Sequence, residues 1–454
     1  MRVAVFIIGG LIAIIQLLSG KNFRRNLLFL LGFYIVISVG WVFYHYTGFL
    51  LVDFPILILL ITGLFSKPRL RFAIPKVGKP LILLFLWMSF TSFFAINSGW
   101  AFAEISKFFR AYLVFICVVN FARERSHLNA LLYGLFFALV FESLVAMWQL
   151  RFGYAGLWAL GENHDPWRAS GTFYVPHYLS NFIIFLLPLI IRMLVFQRSS
   201  RPIWGYVYTF MAASGAVALL ATYTRGPWLA FIISTAIMFL VSMLKNKWRP
   251  KVQWATIVVV IIGAIFIIRY STAITNQFGE DRNTSRDIRF DQFRVAYRVI
   301  LGNPIMGTGL ENYELVSPNY VTPEERLDPR SWQFDEMVHN SYLYFLAQAG
   351  VISSLLLLWA IFQFFSAGFQ VIKSQSTYIS NLGIGILTGF LAIFLTLLSA
   401  PDIRSEQLLI QAGVMAGLLF ALYIIDQQHR REMQNLNRNR SDVNHVEIQS
   451  ERHS

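Results

Sequence analysis

Three arginines and one histidine carry the chemistry this sequence offers: Arg168 in WRASGTFYVPHYLSNF, Arg225 in TYTRGPWLAF, Arg289 in IRFDQFRVAYRVI and His339 in MVHNSYL. A guanidinium stays charged in a partly dry site and grips phosphate oxygens with a planar fork of donors. Several together suit a pyrophosphate leaving group, whose growing charge they stabilise as a glycosidic bond breaks. An imidazole titrating near neutrality can take the proton of an attacking hydroxyl. Taken singly, each has a plainer reading: an arginine as a surface ion pair or interfacial anchor, and His339 as a capping or interfacial histidine beside Asn340 and Ser341, which suit an N-cap. The argument for chemistry is that topology brings all four to one face.

The elements that must hold them are membrane helices. Of 454 residues, 56% are hydrophobic and 14% charged, which is too apolar for an ordinary soluble domain. A bilayer core of roughly 30 Å needs about 20 apolar residues per helix, and many stretches reach that length. The alternating segments of a transmembrane barrel, each about ten residues, are missing from the pattern. The net charge of +14 is no argument for nucleic acid. Lys21, Lys67, Lys76, Lys79, Lys245, Lys247, Lys251 and Lys373 fall in short loops that alternate with uncharged ones, the pattern of cytoplasmic loops. Lys107 alone lies elsewhere.

Spans are expected at about 3–19, 26–44, 48–65, 80–96, 107–122, 128–149, 178–197, 203–223, 226–244, 252–269, 340–371, 378–399 and 407–425. The fold class is therefore all-α: a polytopic membrane protein with about 12 or 13 transmembrane helices. The thin n-region of residues 1–19 favours a retained first helix over a signal peptide. Cys117 is the single cysteine, so no intrachain disulfide forms. N-terminal helices occupy 1–127 and central helices 128–269, with an outer loop at 150–177. A large outer segment follows at 270–338, then C-terminal helices at 339–425. The polar tail, 426–454, reads as disordered and cytoplasmic.

The segment 270–338 holds seven arginines, eleven acids and no lysine, so it is not a polybasic lipid-binding patch. Its stretch Ile288–Ile300 has helical apolar spacing and predicts an amphipathic helix. Asn303-Pro304 ends it, and Gly307-Thr308-Gly309 reads as a tight turn, not a phosphate loop. His164, Asp165 and His177 lack metal-ligand spacing. Asp335 and Glu336 are available to orient His339. Asp53 and Glu142 fall within apolar spans, where an ionisable group is a functional suspect. No hydrolase, zincin or nucleotide-sugar transferase motif is present in the sequence.

In order, RASGTFYVPHYLSNF, TRGPWLAF, RFDQFRVAYRVILGNPIMGTGLENY and HNSYLYFLAQAGV resemble the O-antigen ligase and Wzy-type polymerase family of bacterial inner membranes. The resemblance covers about residues 130–365. It implies a GT-C-like, metal-independent inverting glycosyltransferase with no cofactor, working on the periplasmic face in lipopolysaccharide or exopolysaccharide synthesis. The implied donor is a glycan on undecaprenyl pyrophosphate. The acceptor is lipid A-core in a ligase or another lipid-linked repeat in a polymerase, with a chain-length regulator protein as a further partner beside the lipid bilayer. The family's arginines carry over onto Arg168, Arg225 and Arg289, the last opening an R-x-x-x-[WF]-R…P-x-x-G-x-G pattern, and its histidine onto His339. Two departures stand out: His177 follows Pro176 where asparagine is common, and Leu315–Glu336 matches no family pattern. Two other classes remain as alternatives: a transporter or flippase of an anionic or lipid-linked substrate, and a non-catalytic subunit of a polysaccharide export complex.

Overall fold

The computed structural model describes residues 2–37, 40–44, 47–65, 72–153, 168–173, 175–196, 202–245 and 280–451. The expected span at 252–269, most of the basic stretch after Lys245, and His164 with Asp165 lie outside them. Helices dominate: α1 (Arg2–Ile15), α2 (Phe23–Tyr34), α3 (Asp53–Leu64), α4 (Gly78–Ser92), α5 (Ser98–Phe121), α6 (Arg125–Phe152), α7 (Pro176–Phe196), α8 (Ile203–Ala221), α9 (Arg225–Lys245), α10 (Glu280–Gly302), α11 (Ser341–Ile372), α12 (Thr377–Thr396) and α13 (Glu406–Glu451). Among the described residues, eight helical stretches are long and apolar enough to cross a membrane, and α3 and α4 are shorter apolar helices. The chain is an all-α polytopic membrane protein.

Three expectations are corrected. The span drawn at 26–44 ends at Tyr34, and Gly40–Tyr44 pairs antiparallel with Thr47–Leu50. The run GWVFY is aromatic and β-branched, and a short apolar run of that kind cannot be assigned to helix or strand by periodicity. The stretch 97–106, left between the expected spans at 80–96 and 107–122, is helical from Ser98, because the Asn97 side chain caps α5 by accepting from Trp100 N at 3.1 Å. The tail after Asp426 continues α13 to Glu451. Asp426 starts that extension by accepting from Arg430 Nε one turn on (2.7 Å) and from the Ser374 hydroxyl.

Small residues set how closely the helices pack, as expected where van der Waals contact rather than hydrophobicity joins them. A β-carbon at Gly389 of α12 would overlap the Phe185 carbonyl of α7, and one at Gly413 of α13 would overlap that of Ala111 of α5. α7 and α12 are accordingly buried on nearly all sides. Leu11, Leu86, Phe93 and Phe137 remain exposed on outer helices, as the apolar surface of a membrane bundle must be.

Candidate active site

Arg168 is set by α6. Gln149 Oε1 accepts from Ser170 N (3.1 Å) and Gly171 N (2.8 Å), and its amide donates to Gly171 O (2.6 Å). One turn pair below, Glu142 accepts from Thr172 N (2.8 Å) and Thr172 Oγ1 (2.6 Å). Gly171 has φ +61, and a β-carbon there would overlap the Glu142 carboxylate, so glycine is required on both counts. Glu142, suspect as an intramembrane acid, is the anchor of this loop. Asp53, the other suspect, accepts from Leu50 N (2.7 Å) and Arg110 Nε (2.8 Å) and fastens the hairpin to α3 and α5.

The loop thus held presents Arg168 to the turn that opens α9. Arg168 Nε donates to Thr222 O (3.1 Å) and Nη2 to Thr224 Oγ1 (3.2 Å), while Ala169 N donates to Ala221 O (2.9 Å). Arg225 follows immediately as an exposed first residue of α9. A β-carbon on Gly226 would lie 3.1 Å from Ser399 Oγ, so this helix start abuts the turn between α12 and α13.

The segment that opens with α10 supplies the other half. Val295, Ala296 and Val299 pack into a cluster with Tyr313, Phe334, Val338, Tyr344 and Ala347, which joins this segment, 280–338, the lid, to the first turns of α11. Arg289 is exposed one turn before Gln292, on the same side of the helix. Gln292 is 2% exposed; its amide donates to Gln333 O (3.0 Å), which turns Oε1 toward His339 Nδ1 at 3.2 Å. In that arrangement Nδ1–H donates to Gln292 and Nε2 keeps its lone pair. Burial pushes the His339 imidazole below its ordinary value; the Arg289 charge adds to the shift, as does His177, while the Met337 backbone and the Asp402 carboxylate oppose it. Gln292, not Asp335 or Glu336, is the group that orients the ring.

Asn340 caps α11, accepting from Tyr342 N and Leu343 N, both at 3.0 Å. Its amide donates to Leu398 O (3.2 Å), and Ser341 Oγ donates to Ala400 O (2.6 Å). Leu398 and Ser399 are neighbours, so the starts of α9 and α11 meet on one turn. This brings the Arg168–Arg225 pair and the Arg289–His339 pair to the same rim. The next residues complete it. Asp402, 1% exposed, accepts from Asn181 Nδ2 (2.6 Å) and lies 3.0 Å from His177 Nε2. Arg404 reaches back to the lid at Glu311 (3.2 Å) and Glu314 (3.7 Å).

The lid's backbone is fastened at a kink in α11. Gly350 has φ +74, so Val351 N donates to Pro304 O (2.9 Å) instead of continuing the helix. The freed carbonyls of Ala347 and Gln348 accept from Thr308 N and Gly309 N, each at 2.9 Å. The Gly-Thr-Gly run therefore serves backbone docking.

The bundle defines a class by its architecture: multi-pass helical membrane proteins with a polar segment packed over one end of the helices. Residues 210–358 match the family model described as O-Antigen ligase, so that stretch is similar to the O-antigen ligase and Wzy-type family that the motifs resemble. The matched stretch contains Arg225, Arg289 and His339; Arg168 precedes it. No curated protein matches the chain.

Proposed function

We propose that the protein is a glycosyltransferase of the inner membrane that moves a glycan from undecaprenyl pyrophosphate to an acceptor hydroxyl on the periplasmic face. As ligase its acceptor is lipid A-core; as polymerase it is another lipid-linked repeat. In this reading Arg168, Arg225 and Arg289 bind the pyrophosphate. His339 Nε2 takes the acceptor hydroxyl proton as that oxygen attacks the anomeric carbon from the face opposite the leaving group. The bond from that carbon to the pyrophosphate oxygen breaks, its electron pair leaves with undecaprenyl pyrophosphate, and configuration inverts.

The observation that carries this reading is the Gln292–His339 contact beside Arg289, on a rim shared with Arg225. An imidazole oriented through Nδ1 by Gln292, its charge disfavoured by burial and by a neighbouring cation, suits a base more than a binding cation. The test is transfer from a purified lipid-linked donor by the purified protein. Product formation that His339→Ala abolishes supports the reading. Solute uptake into proteoliposomes without transfer would favour a transporter instead. Which acceptor is used follows from the glycan left when the protein is removed: full chains unattached to the surface for a ligase, single repeats for a polymerase.

A further inference from the structure

The opposite end of the bundle has a groove of its own. α2 and α6 cross in backbone contact: a β-carbon on Gly134 would overlap the Phe29 carbonyl, and one on Gly32 would lie 2.6 Å from Leu131 O. Helices that touch this closely at one crossing diverge away from it. Toward their N-termini they leave an open groove of about 400 Å³ lined by Arg25, Asn26, Phe29, Ser126, Asn129 and Tyr133, with Ala130 at its floor. α6 runs from this groove to Gln149, which holds the Arg168 loop. The two ends are thus about 30 Å apart at 1.5 Å per residue, one bilayer core.

The groove is layered as a lipid is. At its rim Arg25 is exposed and has no ion-pair partner among the described residues. Arg24 lies beside it over the rings of Phe23 and Phe121, its Nε without a hydrogen-bond partner. Asn129 Oδ1 accepts from Tyr378 OH (2.6 Å), which leaves its amide N–H groups as donors. Arg125 stands over the Tyr378 ring at 4.3 Å. Glu124, the acid of the same loop, accepts from the Ser126 hydroxyl at 3.2 Å. Above the rim the wall turns apolar: Tyr133 is 38% exposed and Phe137, one turn on, 52%.

We propose that this groove binds a phospholipid with an anionic headgroup. Its phosphate lies against Arg25 and the Asn129 amide, and one acyl chain runs over Phe29, Tyr133 and Phe137. Basic pockets between helix ends hold such headgroups by charge and hydrogen bonding together. An ammonium-bearing zwitterionic headgroup would set its cation among Arg24, Arg25 and Arg125, so the groove selects against it. A soluble anion would leave the exposed aromatic wall unused.

Purified full-length protein in detergent is titrated with phosphatidylglycerol, with phosphatidylcholine of the same chains, or with inorganic phosphate. Lipid retention is read by native mass spectrometry and melting by thermal scan. Phosphatidylglycerol should be retained and raise the Tm, and the other two should do neither. Arg25→Gln should lower the preference for phosphatidylglycerol about fivefold, the effect of one arginine at a charged surface. Ala130→Leu, which fills the floor, should abolish retention. Equal retention of the two lipids, unchanged selectivity in Arg25→Gln, or equal stabilisation by inorganic phosphate would overturn the proposal. Glycan transfer is not part of this readout, so its outcome is independent of the function proposed above.

Discussion

The charges inside the bundle and three at its lid end differ in how deeply they are buried. Within the bundle, Glu142 uses both oxygens on Thr172. Arg110 donates to Asp53, Glu406 and the Gly48 carbonyl. Arg192, 1% exposed, donates to Asn381 and Ser242 and lies 3.5 Å from the centre of the Phe196 ring. Burying an unpaired charge costs several kcal/mol, roughly, so such groups are conspicuous for their partners. At the rim, Arg225 and Arg289 are exposed and His339 Nδ1 lies 3.2 Å from Gln292 Oε1. In a membrane protein a charge among apolar residues therefore does not by itself mark chemistry.

That contrast is broken or sharpened by substitution. His339→Ala should lower glycan transfer by about 1000-fold, the worth of a well-placed base, without lowering the Tm. Arg225→Ala should lower transfer about 100-fold, as for loss of one group stabilising a leaving charge. A Tm falling with activity in either variant would move these residues to the anchoring class. Gln292→Ala, which frees the ring, should cost about tenfold in transfer. The pH profile has a definite sign. His339 is shifted below the ordinary 6.5, so the neutral base persists through neutrality and is lost only as pH falls below that value. Transfer should show an acid limb below pH 6.5, and Arg289→Gln, which removes a cationic neighbour, should move the limb to higher pH. Glu142→Ala should act in the opposite sense to His339→Ala: about 1–3 kcal/mol of stability is lost with the buried hydrogen bonds, seen as a lower Tm, and activity falls only because the Arg168 loop is released.

Much of this was legible in the sequence where the signal is local. The Asn340 cap and the helix around Ile288–Ile300 rest on a few neighbouring residues, whereas Gly307-Thr308-Gly309, expected as a tight turn, instead bonds to the distant backbone of α11. Gln292 was missed although a signal existed: it follows Arg289 by three positions, hence one helical turn. Asp402 and His177 lie more than two hundred positions apart in the chain, and no local pattern pairs them. The hairpin at Gly40–Leu50 was hidden because short apolar runs do not distinguish strand from helix. The start of α5 was hidden because Glu104, Lys107 and Arg110 interrupt its apolar run; Glu104 and Lys107 pair with each other inside the bundle.

The kink at Gly350 has a mechanical consequence. With Pro304, Thr308 and Gly309 bonded to the backbone of α11 at that point, the lid and the ten residues from Ser341 to Gly350 form one stiff body. His339 sits directly before that body and Gln292 inside the lid. A displacement of the lid is thereby delivered to the His339 imidazole itself, so that ring and the Gln292 amide beside it move together or not at all.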